Sequence, residues 1–185
     1  MKPTQELMAE HNAVLLALKL LEKVEDGLAP KDSQATGHLE QLLDFLREFV
    51  DRCHHGKEED VLFPELEQRG VRRDGGPIGV MLAEHEVGRR HVREMSDGLA
   101  RLRRCELGAA AAIRESSRSY RDLLQAHIYK ENNMLFPMAD RLLPDDVAAK
   151  MLERFEVIER DRVGEGKHEA YHAMLHRLKD IYRIE

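Results

Sequence analysis

Residues 54–64 place two imidazoles, three carboxylates and one ammonium directly before an apolar run: His-His-Gly-Lys-Glu-Glu-Asp-Val-Leu-Phe-Pro. Residues four apart on a helix share a face, so His54 and Glu58 would lie about one turn apart on one side. This face could be a solvated surface that is rich in His and Glu. It could also point into a core, where buried ionisable groups need a partner such as a metal ion.

The stretch occurs twice in the chain. Residues 127–137 read His-Ile-Tyr-Lys-Glu-Asn-Asn-Met-Leu-Phe-Pro and match the first copy at six of eleven positions, with an offset of 73 residues. Upstream of each copy the tripeptide Ala-Glu-His ends at His11 and at His85, with an offset of 74. The first two helices therefore resemble the next two, which indicates an internal repeat.

The number of His and acidic residues does not by itself establish a metal site. With 10 His and 35 acidic residues in 185 positions, about two His-x-x-x-acid pairs are expected by chance, and four occur. The repeat is stronger evidence for a metal site than this count, because both copies share Lys-Glu and Leu-Phe-Pro and both have Ala-Glu-His upstream. This shared context favours metal binding over a solvated helix face.

Helical periodicity of apolar residues runs through the chain, and no segment shows sustained strand alternation. We expect Thr4 to cap the first helix, residues 26–33 to form a loop and residues 69–79 to form a linker. The later helices are predicted from Asp32 or Ser33 to near Gly70, Pro77 to near Gly108, about Ala109 to Ala139, Val147 to about Asp161, and about Lys167 to Tyr182. The predicted fold is all-α: an up-and-down four-helix bundle over residues 1–140, and a C-terminal helical extension over residues 141–185 that packs on it.

The predicted helix lengths bring the repeated histidines to one level of the bundle. His11 and His54 are 43 residues apart, and a rise of about 1.5 Å per residue along one helix and back along the next returns them to a similar height. His85 and His127, which are 42 residues apart, behave in the same way. The two His-x-x-x-Glu pairs then face each other across the bundle axis.

Four imidazoles and two carboxylates in a core cannot remain unpaired, because each buried charge costs several kcal/mol. A pair of divalent or trivalent cations resolves this, since each carboxylate can bridge two ions while the imidazoles bind on the outer side. Mixed nitrogen and oxygen ligands suit iron or manganese, and zinc is compatible. The predicted metal ligands are His11, His54, Glu58, His85, His127 and Glu131.

Three neighbours of these ligands carry further expectations. His55 and Glu59 lie one residue round the helix from the ligand face, so we expect a surface position or a contact to a ligand rather than metal ligation. The two Leu-Phe-Pro segments are interpreted as core followed by a helix kink or stop, with Leu and Phe as the dry floor of the site. Cys53 is expected to be a small buried residue rather than a redox group.

The C-terminal segment leaves two interpretations open. His168, His172 and His176 are spaced four apart and form one stripe, with Tyr171 beside it. The stripe is either a solvated helix face or part of a helix that lies over the open end of the bundle. In the second case His168 or Tyr171 would lie near the metals.

The ordered set of motifs resembles the hemerythrin-like proteins that carry the HHE cation-binding domain. The resemblance covers about residues 4–140 and rests on His11, His85 and the two His-x-x-x-Glu motifs with their Leu-Phe-Pro. It implies an up-and-down four-helix bundle that holds a non-haem di-iron centre, oxo- or hydroxo-bridged, with the two Glu as bridges. It also implies chemistry with O₂, peroxide or NO, or iron sensing.

Two departures from the oxygen-carrying hemerythrins argue against simple reversible O₂ carriage. Those proteins have a second His one turn after the helix-three His, where this chain has Arg89. They also have a shorter acidic ligand in helix four, where this chain has Glu131. The resemblance thus implies either an open metal position or a replacement ligand, for which His168 is the candidate.

Composition narrows the functional class. The net charge of −6, from 29 basic and 35 acidic residues, does not suggest a nucleic-acid partner. The two cysteines form neither a disulfide framework nor a CxxC site, and no segment approaches the roughly 20 apolar residues of a membrane helix. The N-terminus has no signal-peptide run, so we expect a cytoplasmic protein without a membrane partner.

The expected function is iron binding, with reaction with or sensing of small diatomic or peroxide ligands. If the protein is an enzyme, we expect a di-iron oxidoreductase that acts on peroxide, O₂ or NO. The alternatives are a non-enzymatic iron sensor or store, and a helical interaction module with a structural metal.

Overall fold

A computed structural model of the chain describes residues 1–29, 33–164 and 166–184. These residues form six helices and no strand, so the predicted all-α class is confirmed. The helices are α1 (Pro3–Glu25), α2 (residues 34–68), α3 (Pro77–Arg103), α4 (residues 109–142), α5 (residues 145–163) and α6 (Lys167–Tyr182). No helix in the described part of the chain is long and apolar enough to cross a membrane.

Three of the helices change from α to π geometry along their length. In α2 the π-helical parts are Leu46–His55 and Glu58–Leu62, and the α-helical parts Gln34–Phe45 and Phe63–Gln68 flank them. In α4 the π-helical part is Glu131–Leu135. In α5 it is Glu159–Val163. A π turn closes i→i+5 hydrogen bonds and is often found at functional sites. His54, Glu58 and Glu131 all lie in these wide turns, which the apolar periodicity did not predict.

The ends of the helices follow local capping chemistry. The prediction that Thr4 caps α1 was wrong: Lys2 is the cap, its backbone N–H donates to Gln5 Oε1 at 2.8 Å, and the Thr4 hydroxyl donates to Asp140. Ser33 caps α2, as one of the two alternatives predicted, because its hydroxyl accepts from the Thr36 N–H at 3.2 Å. The other alternative, Asp32, lies outside the described residues.

The first four helices enclose one apolar core. Helix α1 packs against α2 and α4, and α3 packs against the same two helices. The contact between α3 and α4 is the most extensive, and Gly98 allows their close approach, since a Cβ there would lie 2.6 Å from Cγ1 of Ile113. Helix α5 packs on α1 and α2, and α6 packs on α1.

Candidate metal centre

The structure brings all six predicted metal ligands together in the core. Each is at most 2% exposed. Their potential ligand atoms form two groups in which all atoms lie within 4.8 Å of one another: His11, His54, Glu58 and Glu131 in the first, and His55, Glu58, His85 and His127 in the second. We call these half-site 1 and half-site 2. Glu58 belongs to both, so the two half-sites form one continuous cluster.

In each half-site, two imidazoles face each other through their Nε2 atoms. In half-site 1, Nε2 of His11 lies 3.0 Å from Nε2 of His54, and in half-site 2, Nε2 of His85 lies 3.2 Å from Nε2 of His127. Two nitrogens that bind one ion at about 2.1 Å and at right angles to each other are about 3.0 Å apart. The spacing of the nitrogens therefore fits one metal ion for each pair.

Glu58 and Glu131 lie between the two pairs of imidazoles. Oε2 of Glu131 is 3.2 Å from Nε2 of His11, while Oε1 is 3.2 Å from Nε2 of His127. The oxygens of Glu58 are similarly divided, at 3.9 Å from His54 and 3.4 Å from His85. None of the four oxygens has a hydrogen-bond partner among the described residues. Buried carboxylates without such partners are costly, and a cation would satisfy them.

The other ring nitrogen of each imidazole is held by an oxygen acceptor. Nδ1 of each histidine donates at 2.6–2.8 Å: His54 to Glu10, His85 to Glu59, His127 to Glu84 and His11 to Asn132. In a neutral imidazole whose Nδ1 is protonated, Nε2 carries a lone pair, so two facing neutral rings repel each other unless a proton or a metal cation lies between them. Such acceptors fix the tautomer and the orientation of metal-binding histidines.

The repeated sequence contains the signal for these acceptors, although only the ligands were inferred from it. Glu10 and Glu84 are the acids of the two Ala-Glu-His tripeptides, and each orients the histidine of the neighbouring helix. Glu59 and Asn132 occupy the same position in the two copies of the longer motif. The expected contact between Glu59 and a ligand is therefore present, and its partner is His85.

Burial and neighbouring charges set the protonation of the cluster without metal. Burial raises the pKa of Glu58 well above its usual range, and repulsion by Glu131 adds to this effect. Burial acts on Glu131 in the same direction, but the charges of His127 and His11 outweigh it and hold its pKa well below that range. Burial also opposes the imidazolium of His127, yet interaction with Glu131 and Glu84 raises its pKa to about 9. Metal binding would displace the protons that these groups hold.

His55 lies in half-site 2, so of its two expected positions the surface was wrong, whereas the contact to a predicted ligand is present. Its imidazole is 4% exposed and stacks on His85 with ring centroids 3.8 Å apart. Burial and the proximity of His85 hold the pKa of His55 well below its usual range, which keeps it neutral. His55 supplies an additional imidazole beside His85. Arg89 itself pairs with Asp51 and Glu59 at 2.7 Å.

The structure places His168 and Tyr171 outside both half-sites, so it does not add either of them to the predicted ligand set. Nδ1 of His168 pairs with Glu159 at 2.8 Å, and its ring packs on Phe49. The Tyr171 hydroxyl donates to Asp44 at 2.8 Å. These residues attach α6 to α2, and the stripe is not a solvated face along its whole length, since His168 and His172 are half-buried and only His176 is exposed.

The Leu-Phe-Pro segments form the apolar boundary of the cluster. Phe136 stacks on His11 with ring centroids 5.6 Å apart, and Phe63 stacks on His85 at 6.0 Å. Both are buried, and neither following proline ends its helix, because each stands at the start of an α-helical part. Cys53 is buried as expected, and burial raises the pKa of its thiol to about 12.

The C-terminal helices cover one half-site and not its repeat counterpart. The Lys57 ammonium is fully buried and donates to Glu10 at 2.5 Å, Glu6 at 2.8 Å and Glu159 of α5 at 3.4 Å. Lys130, the equivalent residue in the second copy, is 31% exposed and pairs with Glu84. Gly56 leaves room for the guanidinium of Arg162, a residue of α5, over this part of α2.

Comparisons with known proteins agree with this arrangement. The family model of the hemerythrin HHE cation-binding domain matches residues 2–139. An uncharacterised protein of Mycobacterium tuberculosis is 23% identical over 177 residues, which are 96% of this chain and 68% of that protein. The iron-sulfur cluster repair protein YtfE of Yersinia pestis is 32% identical over 138 residues, 71% of this chain and 60% of the relative. YtfE of Edwardsiella ictaluri is 35% identical over 126 residues, 65% of this chain and 54% of the relative. No solved structure gives a significant match.

The matched range contains all six predicted ligands and both half-sites, while α5 and α6 lie beyond it. The chain is similar to YtfE over little more than half of that protein's length. The match to the family model covers more than half of this chain and includes every residue of the cluster. This chain belongs to the hemerythrin HHE cation-binding domain family.

Proposed function

We propose that the chain holds two iron ions in an up-and-down four-helix bundle of residues 1–140, with residues 141–185 as an extension packed on it. His11 and His54 bind one ion, His85 and His127 bind the other, and Glu58 and Glu131 bridge them. The proposed activity is reaction with, or sensing of, small oxidants such as O₂, peroxide or NO. Bound iron would supply one-electron redox chemistry at a buried position.

One observation carries the proposal: two buried carboxylates with four unpartnered oxygens lie between two pairs of imidazoles whose Nε2 atoms face each other. A helical core gains nothing from such a cluster unless cations satisfy it. The relatives named as iron-sulfur cluster repair proteins favour iron over manganese or zinc. Because the chain spans only part of those relatives, the proposal does not extend to the repair of clusters.

The residues around the proposed ligands orient the imidazoles and exclude water from them. Glu10, Glu59, Glu84 and Asn132 hold Nδ1 protonated and aim Nε2 at the ions. Phe63 and Phe136 keep the ligands dry on the side of the Leu-Phe-Pro segments. His55 supplies an additional nitrogen in half-site 2, which makes the coordination of the two ions unequal.

Metal analysis combined with an optical spectrum tests the proposal. Aerobically purified protein should contain about two irons per chain and show near-UV and visible charge-transfer bands, as di-iron carboxylate proteins do. His54→Ala and Glu131→Ala should each lose iron. His91→Ala is the matched control, because His91 pairs with Glu94 away from the cluster and its removal should leave the iron content unchanged.

Two results would contradict the proposal. A colourless protein with a single zinc would exclude a di-iron centre. Retention of iron in both the His54→Ala and the Glu131→Ala proteins would show that the ligand set is wrong. If the di-iron centre is present, turnover of peroxide or O₂ by the iron-loaded protein would indicate an enzyme, and its absence would indicate a sensor.

A specific contact supports iron sensing as the second candidate function. Lys57 connects Glu10, which orients the ligand His54, to Glu159 of α5. A change in metal occupancy that moves His54 would thus act on the contact between α5 and α2. Limited proteolysis tests this candidate: cleavage in residues 141–185 should differ between metal-loaded and metal-depleted protein if the contact responds to the metal. Equal cleavage rates would exclude the sensing device.

A further inference from the structure

A cleft of about 410 Å³ opens on the surface between α2, α3 and α4 and reaches the metal cluster. Its outer part is lined by charged side chains, including Arg47 and Arg93, and its inner end by His55, Gly88 and Tyr120. His55 also belongs to half-site 2, so the cleft and the cluster share a wall. The volume lies in the range of about 300–1,000 Å³ that is typical of small-molecule sites, and is far larger than a diatomic gas requires.

Two polar groups at the inner end of this cleft have unused hydrogen-bonding capacity. Nδ1 of His55 is buried and has no hydrogen-bond partner among the described residues, and Oδ1 of Asp51 is 3.5 Å away. The Tyr120 hydroxyl makes no side-chain hydrogen bond within the described part of the chain. A buried atom such as Nδ1 of His55 costs about 1–3 kcal/mol unless a ligand or water satisfies it.

The internal repeat shows that the opening is specific to one half of the molecule. At the repeat offsets, Gly88 corresponds to Val14, and His55 corresponds to Ile128. Val14 and Ile128 are 1% and 4% exposed and belong to the apolar core. Half-site 1 thus has branched apolar side chains where half-site 2 has a glycine and an imidazole. Gly88 therefore lines the cleft without a side chain, whereas its counterpart Val14 is part of the apolar core.

We propose that the cleft is the binding site through which a peroxide, R–O–O–H, reaches half-site 2, with His55 and Tyr120 as the residues that bind its oxygens. This inference rests on the proposed function and selects among the three oxidants. A hydroperoxide both donates and accepts hydrogen bonds, so it can satisfy His55 and Tyr120 when it displaces water. O₂ and NO would leave both groups unsatisfied. The apolar walls at Leu46 and Val92 leave room for an organic R group.

Binding can be measured without turnover in the full chain loaded with Zn²⁺, which has no redox chemistry. We would titrate tert-butyl hydroperoxide and follow backbone amide and tyrosine ring signals by NMR. The expected shifts concentrate at Gly88 and Tyr120 and spare Val14 and Ile128. Xenon, an apolar probe of similar size to a diatomic gas, should produce smaller shifts at the same positions.

Gly88→Val introduces into half-site 2 the side chain that Val14 supplies in half-site 1. A Cβ at Gly88 would meet the Tyr120 ring at 3.5 Å and Leu124 at 3.7 Å, which are ordinary contacts, so the variant should fold. It should weaken peroxide binding by about tenfold or more, because filling a small pocket by a few methyl groups changes affinity on that scale. Gly37→Val is the matched control, since a Cβ at Gly37 meets no atom within 4 Å.

Several outcomes would overturn the inference. Shifts at Val14 and Ile128 instead of Gly88, wild-type affinity in Gly88→Val, or binding of xenon without binding of the peroxide would each do so. The shift map of the wild-type chain decides the matter even if the variant fails to fold. Metal content, measured on the same samples, distinguishes failure of the proposed function from failure of the peroxide site. Protein that binds no metal contradicts the proposed function. Metal-loaded protein without shifts in the cleft contradicts only the peroxide site.

Discussion

Replacement of Lys57 by methionine removes a buried ammonium that three carboxylates surround, and the repeat supplies a matched control in Lys130→Met. The Lys57 side chain is 0% exposed and that of its closest partner, Glu10, is 5% exposed. Removal of one member of a buried ion pair costs about 3–5 kcal/mol, because the other charge is left without a partner. Glu6 and Glu159 are partly solvated, and Oε2 of Glu10 keeps its hydrogen bond from His54, so the loss comes mainly from Oε1 of Glu10 and should lie near the lower end of this range.

The control removes the equivalent charge from a solvated position. The Lys130 side chain is 31% exposed and that of Glu84 is 20% exposed, so this pair should contribute about 0–1 kcal/mol. The free energy of unfolding should therefore fall at least about 2 kcal/mol further in Lys57→Met than in Lys130→Met. Urea unfolding of the metal-loaded proteins, followed by circular dichroism, measures the difference. Metal content is determined on the same samples, and equal losses with equal metal content would refute the reasoning.

The same variant has a defined pH dependence. Burial acts to raise the pKa of Glu10, but the hydrogen bond and charge of His54, together with Lys57, lower it from 4.5 to about 2. A carboxyl group with a lowered pKa stabilises the fold above its unfolded pKa, and this stabilisation is lost as the pH falls towards the folded pKa. Without Lys57 the lowering is smaller. The wild-type and Lys57→Met proteins are compared in the presence of a chelator. The difference between their unfolding free energies should be largest at neutral pH and should narrow below pH 4.5.

Three further predictions follow from individual contacts. Gly98→Ala should destabilise the protein by about 1–3 kcal/mol in thermal unfolding, because its Cβ would lie 2.6 Å from Ile113, whereas Gly37→Ala should be neutral or stabilising by up to about 1 kcal/mol. In a Cys105→Ser background, Ellman's reagent should label Cys53 only on unfolding, because the thiol is buried with a pKa of about 12; fast labelling of the native protein would contradict its placement. Removal of metal by a chelator should lower the melting temperature, since a ligand present at 100 times its Kd adds about 2.7 kcal/mol to the stability.

The sequence predicted those features that depend on periodicity and repetition. The long apolar stripes gave the helices, and α6 has the predicted range Lys167–Tyr182. The repeat gave the six residues that meet in the core, because copies of one motif in one fold occupy equivalent places. It also contained Glu10 and Glu84, which were overlooked because a carboxylate next to a histidine in sequence was not expected to orient a different histidine in space.

The remaining features depend on tertiary geometry that a linear pattern does not carry. The position of His55 was predicted from an ideal α-helix, but it lies at the end of the π-helical part Leu46–His55, where the wider turn changes the direction of side chains. His168 was the candidate replacement for the ligand missing at Arg89, in one of the two interpretations of the stripe. Its contact with Glu159 depends on how α5 and α6 dock, which no local signal specifies.

The unequal cover of the two half-sites has a kinetic consequence for metal exchange. Half-site 1 lies beneath a buried lysine and α5, while half-site 2 borders an open cleft. A chelator added to the loaded protein should therefore remove the two ions in sequence, the ion at His85 and His127 first. An intermediate with one ion would accumulate, and refilling it with a different metal would give a defined heterometallic centre. The two copies of the motif would in this way hold the two proposed ions with different lifetimes.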